Sequence, residues 1–287
     1  MQITRSILLV ILLLLPGIMK SQTEVSSLNY KFRRVSPEGG LEYNGQRDAK
    51  QDKWGFVWVI TVNDIFRFDG YTFKRYTGRL PDGGTNHIWQ LNQLEIDAAD
   101  NLYVAARNGL LRYDPNYDNF ECIYNSSIHC LYEDTKQRLW LSANTIGYFD
   151  RKKNEFIPFH ISGSENEQVS VIYESQYGLF IGTQSGRLYL LNETLKEFQP
   201  FPVETGQGII DVVHYNSYMY VLTEAEGLFV INMNDQQVLK HYTFFYPDND
   251  RRILARDLHI DRTGGIWIST QRGIYLLDPL SEHCLLY

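Results

Sequence analysis

Reactive side chains are plentiful in this sequence, but few stand at a spacing that does chemistry. There is no H-E-x-x-H, no C-x-x-C and no G-x-S-x-G, and "GQG", Gly206 to Gly208, is too short for a phosphate-cradling loop. The seven histidines, at 87, 129, 160, 214, 241, 259 and 283, are scattered without ligand spacing, so neither a metal nor a cofactor is expected. Glycoside hydrolysis uses two carboxylates flanking the scissile bond. Asp211 or Glu167 could lie over a central channel, although loops carry such acids in any case. One acidic pattern does repeat. "KQDKWG", "IDAADN", "YEDTKQR" and "HIDRTGG" place Asp52, Asp97, Asp134 and Asp261 in turns. The ligand spacing of a calcium loop is missing, so these carboxylates are expected to accept local backbone N–H bonds and close tight turns.

Such turns need strands on either side. An aromatic anchor follows each and recurs without the acid twice more: the series Trp58, Tyr103, Trp140, Phe180, Tyr220, Trp267 has gaps of 45, 37, 40, 40 and 47 residues. Each anchor opens an apolar stretch: "WVIT", "YVAA", "WLSA", "FIGT", "YVLT", "WIST". A segment ending in Asp or Asn comes next, from "DIFRFD" to "GIYLLD", and then an aromatic pair, from "YTFKRY" to "EHCLLY". Four short strands per repeat, with no i, i+3, i+4 spacing, are the signature of a propeller blade. The expected fold is all-β, a β-propeller of four-stranded blades with six blade repeats visible. The anchors should fill the contacts between blades, which makes Trp58, Trp140 and Trp267 core residues. Blades one and three read "VNDI" and "ANTI" where the repeat has Gly before its third strand. Asn63 and Asn144 are therefore expected to take a positive φ there.

Composition agrees and narrows the setting. Aromatics make up 14% of the 287 residues, a strand-like composition. With 27 basic against 34 acidic residues the net charge is −7, which argues against a nucleic-acid partner. Arg5, the apolar run "ILLVILLLL" (Ile7 to Leu15) and the break at Pro16–Gly17 have the layout of a secretory signal peptide. The run is well short of the ~20 residues of a spanning helix. Residues 1–21 are read as the signal, with cleavage near Ser21–Gln22, and 22–287 as the propeller. The mature chain should be periplasmic or secreted and make no membrane contact itself. Three cysteines, Cys122, Cys130 and Cys284, make no disulfide framework. Cys122 and Cys130 could pair across neighbouring strands, but buried free thiols are the expectation.

The stretch from "YKFRRVSPEGG" to "FRFDGYTFKRYT", Tyr30 to Thr77, resembles the start of the periplasmic sensor region of Bacteroides-type hybrid two-component systems. The recurring D-x-x-G-x-I/L-W-I-G/S-T-x-x-G-L/I-x-x-x-D resembles their two-component regulator propeller repeat. In that family, propellers of this kind precede a β-sandwich, a membrane helix, a histidine kinase and a DNA-binding module, and they sense glycan breakdown products. The resemblance implies a non-catalytic, ligand-sensing propeller, present here without its kinase. A C-terminal continuation carrying the rest of the propeller and the kinase module is then an expected partner. Two other classes stay open: a propeller carbohydrate-active enzyme (glycoside hydrolase or lyase) and a protein-interaction scaffold.

Topology says where a ligand would bind. Loops leading into each first strand share a face with the loops joining second and third strands, and the acidic turns lie opposite. The first of these faces, here the first-strand face, carries Arg47, His87, Trp89, Arg107, Arg252 and Arg272. Guanidinium groups, amides and aromatics over a channel suit an oligosaccharide, whose hydroxyls both donate and accept. These six are the candidate ligand residues. For each one, a polar residue on a solvated rim is the simpler reading, and Trp89 could be core. Finally, "NYKFRRVS", Asn29 to Ser36, reads as a fourth strand ahead of blade one. Six blades plus one orphan strand are the inventory of a seven-bladed ring cut short, with a wedge expected between blades one and six.

Overall fold

Within each repeat, apolar residues bounded by turn-forming residues pair into one antiparallel sheet. Blade one is built from Gln46–Gln51, Val57–Thr61, Ile65–Phe68 and Phe73–Tyr76, hydrogen-bonded in that order. The first and second strands of the later blades are Leu91–Ile96 and Leu102–Ala106, Leu131–Glu133 and Leu139–Ser142, Val169–Ser175 and Gly178–Thr183, Ile209–Tyr215 and Tyr218–Thr223, and Ala255–Ile260 and Ile266–Thr270. The computed structural model describes residues 45–76, 90–164, 167–245, 251–279 and 284–287, all within one compact unit, Pro37–Tyr287. The leader, the expected strand Asn29 to Ser36, His87 and Trp89 lie outside the described residues. The protein is an all-β propeller of six four-stranded blades in a ring. Blade four gains a fifth strand, His160–Ile161, which pairs in parallel with its outer strand Glu197–Glu204. Nothing in the repeat pattern announced it.

The core is a series of blade junctions. Trp58 packs with Leu94 and Val104 of blade two, and Tyr103 with Leu131 and Leu141 of blade three. Trp140 meets Ile172 and Ile181, Phe180 meets Val212 and Val221, and Tyr220 meets Leu258 and Ile268. One anchor per blade thus seals the joint to the next, and these five are almost fully buried. Trp267 departs from the expectation: it is only half-buried, because it stands on the face of blade six that turns away from blade five. The complementary face of blade one is also less covered. Ala49 is exposed, whereas its counterparts Leu94, Leu131, Ile172, Val212 and Leu258 are buried.

The expectation for Asn63 and Asn144 is corrected. Neither is among the residues with positive φ. In blade one the Thr61 hydroxyl accepts from the N–H groups of Asn63 and Asp64, closing the turn without a left-handed residue. In blade three the Ala143 N–H donates to the Thr145 carbonyl across an equally tight loop. Blades four and five do place a left-handed glycine at the entry to the third strand, at Gly186 and Gly227, and on the opposite face Gly55, Asp100, Gln137, Asn216 and Gly264 take positive φ between first and second strands. The three cysteines are free thiols, with Cys130 buried. Cys122 and Cys284 are exposed, so burial holds for only one of the three.

Candidate functional site

The acidic turns do what their sequence suggested, and more. Asp52 accepts from the N–H groups of Trp54 and Phe56, Asp97 from Ala99 and Asn101, Asp134 from Lys136 and Arg138, and Asp261 from Thr263 and Gly265. In three blades the second carboxylate oxygen also takes the indole N–H of the anchor six residues on. The distances are 2.8 Å for Trp58, 2.8 Å for Trp140 and 2.7 Å for Trp267. The Asp thereby satisfies a donor that burial would otherwise strand. These carboxylates are structural.

The first strands line the central channel, and one edge of each is open. In five of the six a register shift near the strand start leaves one residue unpaired, as between Gln46 and Asp48 or Ile209 and Asp211. The residue after it reaches toward the next blade. Asp48 accepts from the Leu94 N–H at 2.8 Å, Gln93 from Leu131 at 2.8 Å, and Asp211 from Leu258 at 3.0 Å. Side chains thus cap backbone donors that no neighbouring strand can meet. The Lys50 ammonium donates to Glu95 at 2.9 Å, and Glu95 takes the Glu133 N–H at 3.2 Å.

Four of these groups concentrate charge. Burial, and then the nearby Asp257 carboxylate to which it hydrogen-bonds, hold the Asp211 carboxyl well above the ordinary carboxylate range. Burial likewise raises Asp48, with Asp257 contributing. Burial raises Glu95 against the pull of Lys50; for Lys50 the attraction of Glu95 outweighs burial and raises its pKa. The wall therefore holds an acid pair from blades five and six, and an ion pair from blades one and two. Asp211 itself is occupied with backbone donors, accepting from the Val212 N–H at 2.8 Å as well as from Leu258. Glu167 is engaged elsewhere, by Ser185, Arg187 and Tyr189 at 2.7–3.2 Å.

Of the candidate ligand residues, four are described, and backbone hydrogen bonds set their loops on one face. Leu91 N–H donates to Val62, and Gln271 N–H to Leu254, tying second-to-third-strand loops to the loops that lead into first strands. Arg47 is the exposed residue of the bulge in blade one. Arg107 is exposed and donates to the Gln90 amide oxygen at 2.8 Å. Arg252 pairs with Glu226. Arg272 is exposed in blade six, its backbone N–H on the Thr270 hydroxyl. They share a face but belong to different blades. The channel groups Asp48, Lys50, Glu95 and Asp257 were missed from sequence. For two of them the signal was an acid ten residues ahead of the anchor, Asp48 before Trp58 and Asp257 before Trp267. Among the described residues no group of acids, histidines and cysteines could hold a metal, and no helix is long and apolar enough to cross a membrane.

No protein-family model matches the chain. A stretch of 54 residues is 39% identical to "Histidine kinase P4" of Formosa agariphila, covering 19% of this chain and 4% of that protein. Over 86% of its length the chain superposes on the extracellular domain of BT4673, a one-component-system protein of Bacteroides thetaiotaomicron. The TM-score is 0.70 at 17% identity, and the match covers 33% of that structure. Virginiamycin B lyase of Staphylococcus aureus is similar too, with a TM-score of 0.68 at 13% identity over 85% of this chain and 84% of that one. The chain thus spans a third or less of these two signalling proteins. At these identities the structural likeness establishes the propeller fold.

Proposed function

We propose that this propeller is an exported ligand-binding module of a signalling system, and that it takes an oligosaccharide on the first-strand face. The observation that carries the reading is the 39% identity to a histidine kinase, seated on a fold shared with the extracellular domain of a one-component system. The face offers guanidinium groups at Arg47, Arg107, Arg252 and Arg272, suited to hydroxyl and carboxylate oxygens. The propeller contributes recognition, and signal output belongs to other modules. A catalytic reading has less support, because the Asp211 carboxyl is buried and already caps the Val212 and Leu258 N–H groups.

Calorimetric titration against a panel of oligosaccharides, with product analysis of the same samples, tests this. The expected result is saturable binding without bond cleavage, weakened by Arg107→Ala at unchanged thermal stability. Cleavage would convert the assignment to a carbohydrate-active enzyme, and silence across the panel would favour a protein-interaction scaffold.

A further inference from the structure

The outermost strand of each blade leaves one edge of main-chain N–H and C=O groups open, a template for pairing with another strand. The chain already uses one such edge. His160–Ile161 adds in parallel to Glu197 and Phe198 at the start of blade four's outer strand, and it stops short of Pro200. The other outer strands are Phe73–Tyr76, Asn119–Tyr124, Glu155–Pro158, Gln237–Tyr242 and Cys284–Leu286. Among the described residues none of these five has a second neighbour.

Most carry a device that discourages pairing between copies. A two-fold axis normal to an antiparallel pair sets one residue opposite its own copy. Blade one's strand has Lys74 and Arg75 at its centre, so self-pairing would face one of these cations with itself. Blades three and four carry Pro158, Pro200 and Pro202, which lack a donor. Blade two's strand exposes no large apolar side chain, and blade six's has only three residues. Blade five differs. Gln237–Tyr242 runs for six residues without proline, and a register shift leaves Leu239 without a partner in its own sheet. Val238 and Leu239 both face solvent, 45% and 53% exposed. The strand's far end is fixed, with the His241 ring stacked on Phe229 at 4.0 Å and its Nε2 2.6 Å from the Glu226 carbonyl oxygen.

We propose that this edge pairs with the same strand of a second copy, antiparallel about a two-fold axis at Leu239. Leu239 then meets its own copy, Val238 meets the aliphatic stem of Lys240, and Gln237 meets His241, so no like charges are opposed. An axis at Lys240 would face two ammonium groups, and one at Val238 would shorten the overlap. The edge belongs to the strand farthest from the channel, so its use is independent of ligand binding on the first-strand face. Sedimentation velocity over a range of protein concentrations tests this on the wild type and Leu239→Lys. The wild type should pass from monomer to dimer as concentration rises. Leu239→Lys sets like charges together and should raise the dimer Kd at least about tenfold. Melting temperatures should agree at dilutions where both proteins are monomeric, because the side chain is exposed. In a Cys122→Ser, Cys284→Ser background, Leu239→Cys should form an interchain disulfide on mild oxidation, since opposed Cα atoms stand about 4.5–5.5 Å apart. Gln237→Cys, displaced from the axis, should not. A chain that stays monomeric at every concentration would overturn the proposal and leave the edge to a strand of another protein. A dimer that Leu239→Lys leaves intact, or that Leu239→Cys fails to lock, would also overturn it, by assigning the contact to another surface.

Discussion

At the scale of single residues, the most telling group is Asp211, a carboxyl set against another carboxyl where water is scarce. Its folded pKa lies above the unfolded value, so between the two the folded state binds more protons than the unfolded chain. Stability attributable to this group is complete below the ordinary carboxylate range, about pH 4, and is lost as pH rises through the raised value. Asp261 runs the other way. Burial would raise it, but hydrogen bonds from Thr263, Trp267 and Gly265 prevail and hold it at about 2. Its contribution is present above about pH 4 and is lost toward pH 2. Denaturant unfolding followed across pH should therefore show Asp211→Asn gaining on the wild type from about pH 5 upward. A constant offset between the two would mean that the pair carries no shared proton. Asp261 could be read from its turn, whereas the Asp211–Asp257 encounter depends on how blade five packs against blade six, which no local pattern contains.

At the scale of elements, the unit of design is the turn with its anchor. Asp134 closes the turn, takes the Trp140 indole N–H at 2.8 Å and holds Arg138 at 2.6 Å. The Arg138 guanidinium lies 4.8 Å from the Trp140 ring centroid. Replacing Asp134 by Ala leaves the indole N–H and two backbone donors buried without partners, and should cost about 2–4 kcal/mol in urea unfolding. Asp52→Ala, in a more exposed turn, should cost about half as much. Equal losses would show that burial does not set the strength of the couple. Blade count, strand order and these turns were legible because composition and spacing encode them. The turns at Asn63 and Asn144 were not, because a Thr hydroxyl or a neighbouring carbonyl replaced the left-handed residue that the missing glycines implied. Nor were the channel caps, because a one-residue bulge changes which face a side chain joins, and strand alternation read from sequence assumes no bulge. The candidate arginines could be assigned to a face by topology alone, yet their separation among blades depends on three-dimensional spacing.

For the whole molecule, a ring of blades behaves as a chain of nearest-neighbour contacts, so stability should follow how completely each blade is sandwiched. Blades two to five are covered on both faces by sealed junctions. Blade one is sealed toward blade two, but its other face shows Ala49 exposed and Val59 half-buried, where Val104, Leu141, Ile181, Val221 and Ile268 are buried. At roughly 25 cal/mol per Å² of apolar surface, a blade face left short of cover forfeits several kcal/mol of local stability. Opening of blade one should accordingly precede global unfolding, while blades three to five open only with the whole ring. Native-state amide exchange under mild denaturant can resolve this by blade. Protection is expected to be lowest at Val57–Thr61 and Ile65–Phe68, and highest at Leu139–Ser142, Gly178–Thr183 and Tyr218–Thr223. Val59→Ala should then change the sub-global opening of blade one more than the exchange of blades three to five. Uniform protection around the ring would mean instead that all six junctions are equally sealed in solution and that the propeller unfolds as a single cooperative body.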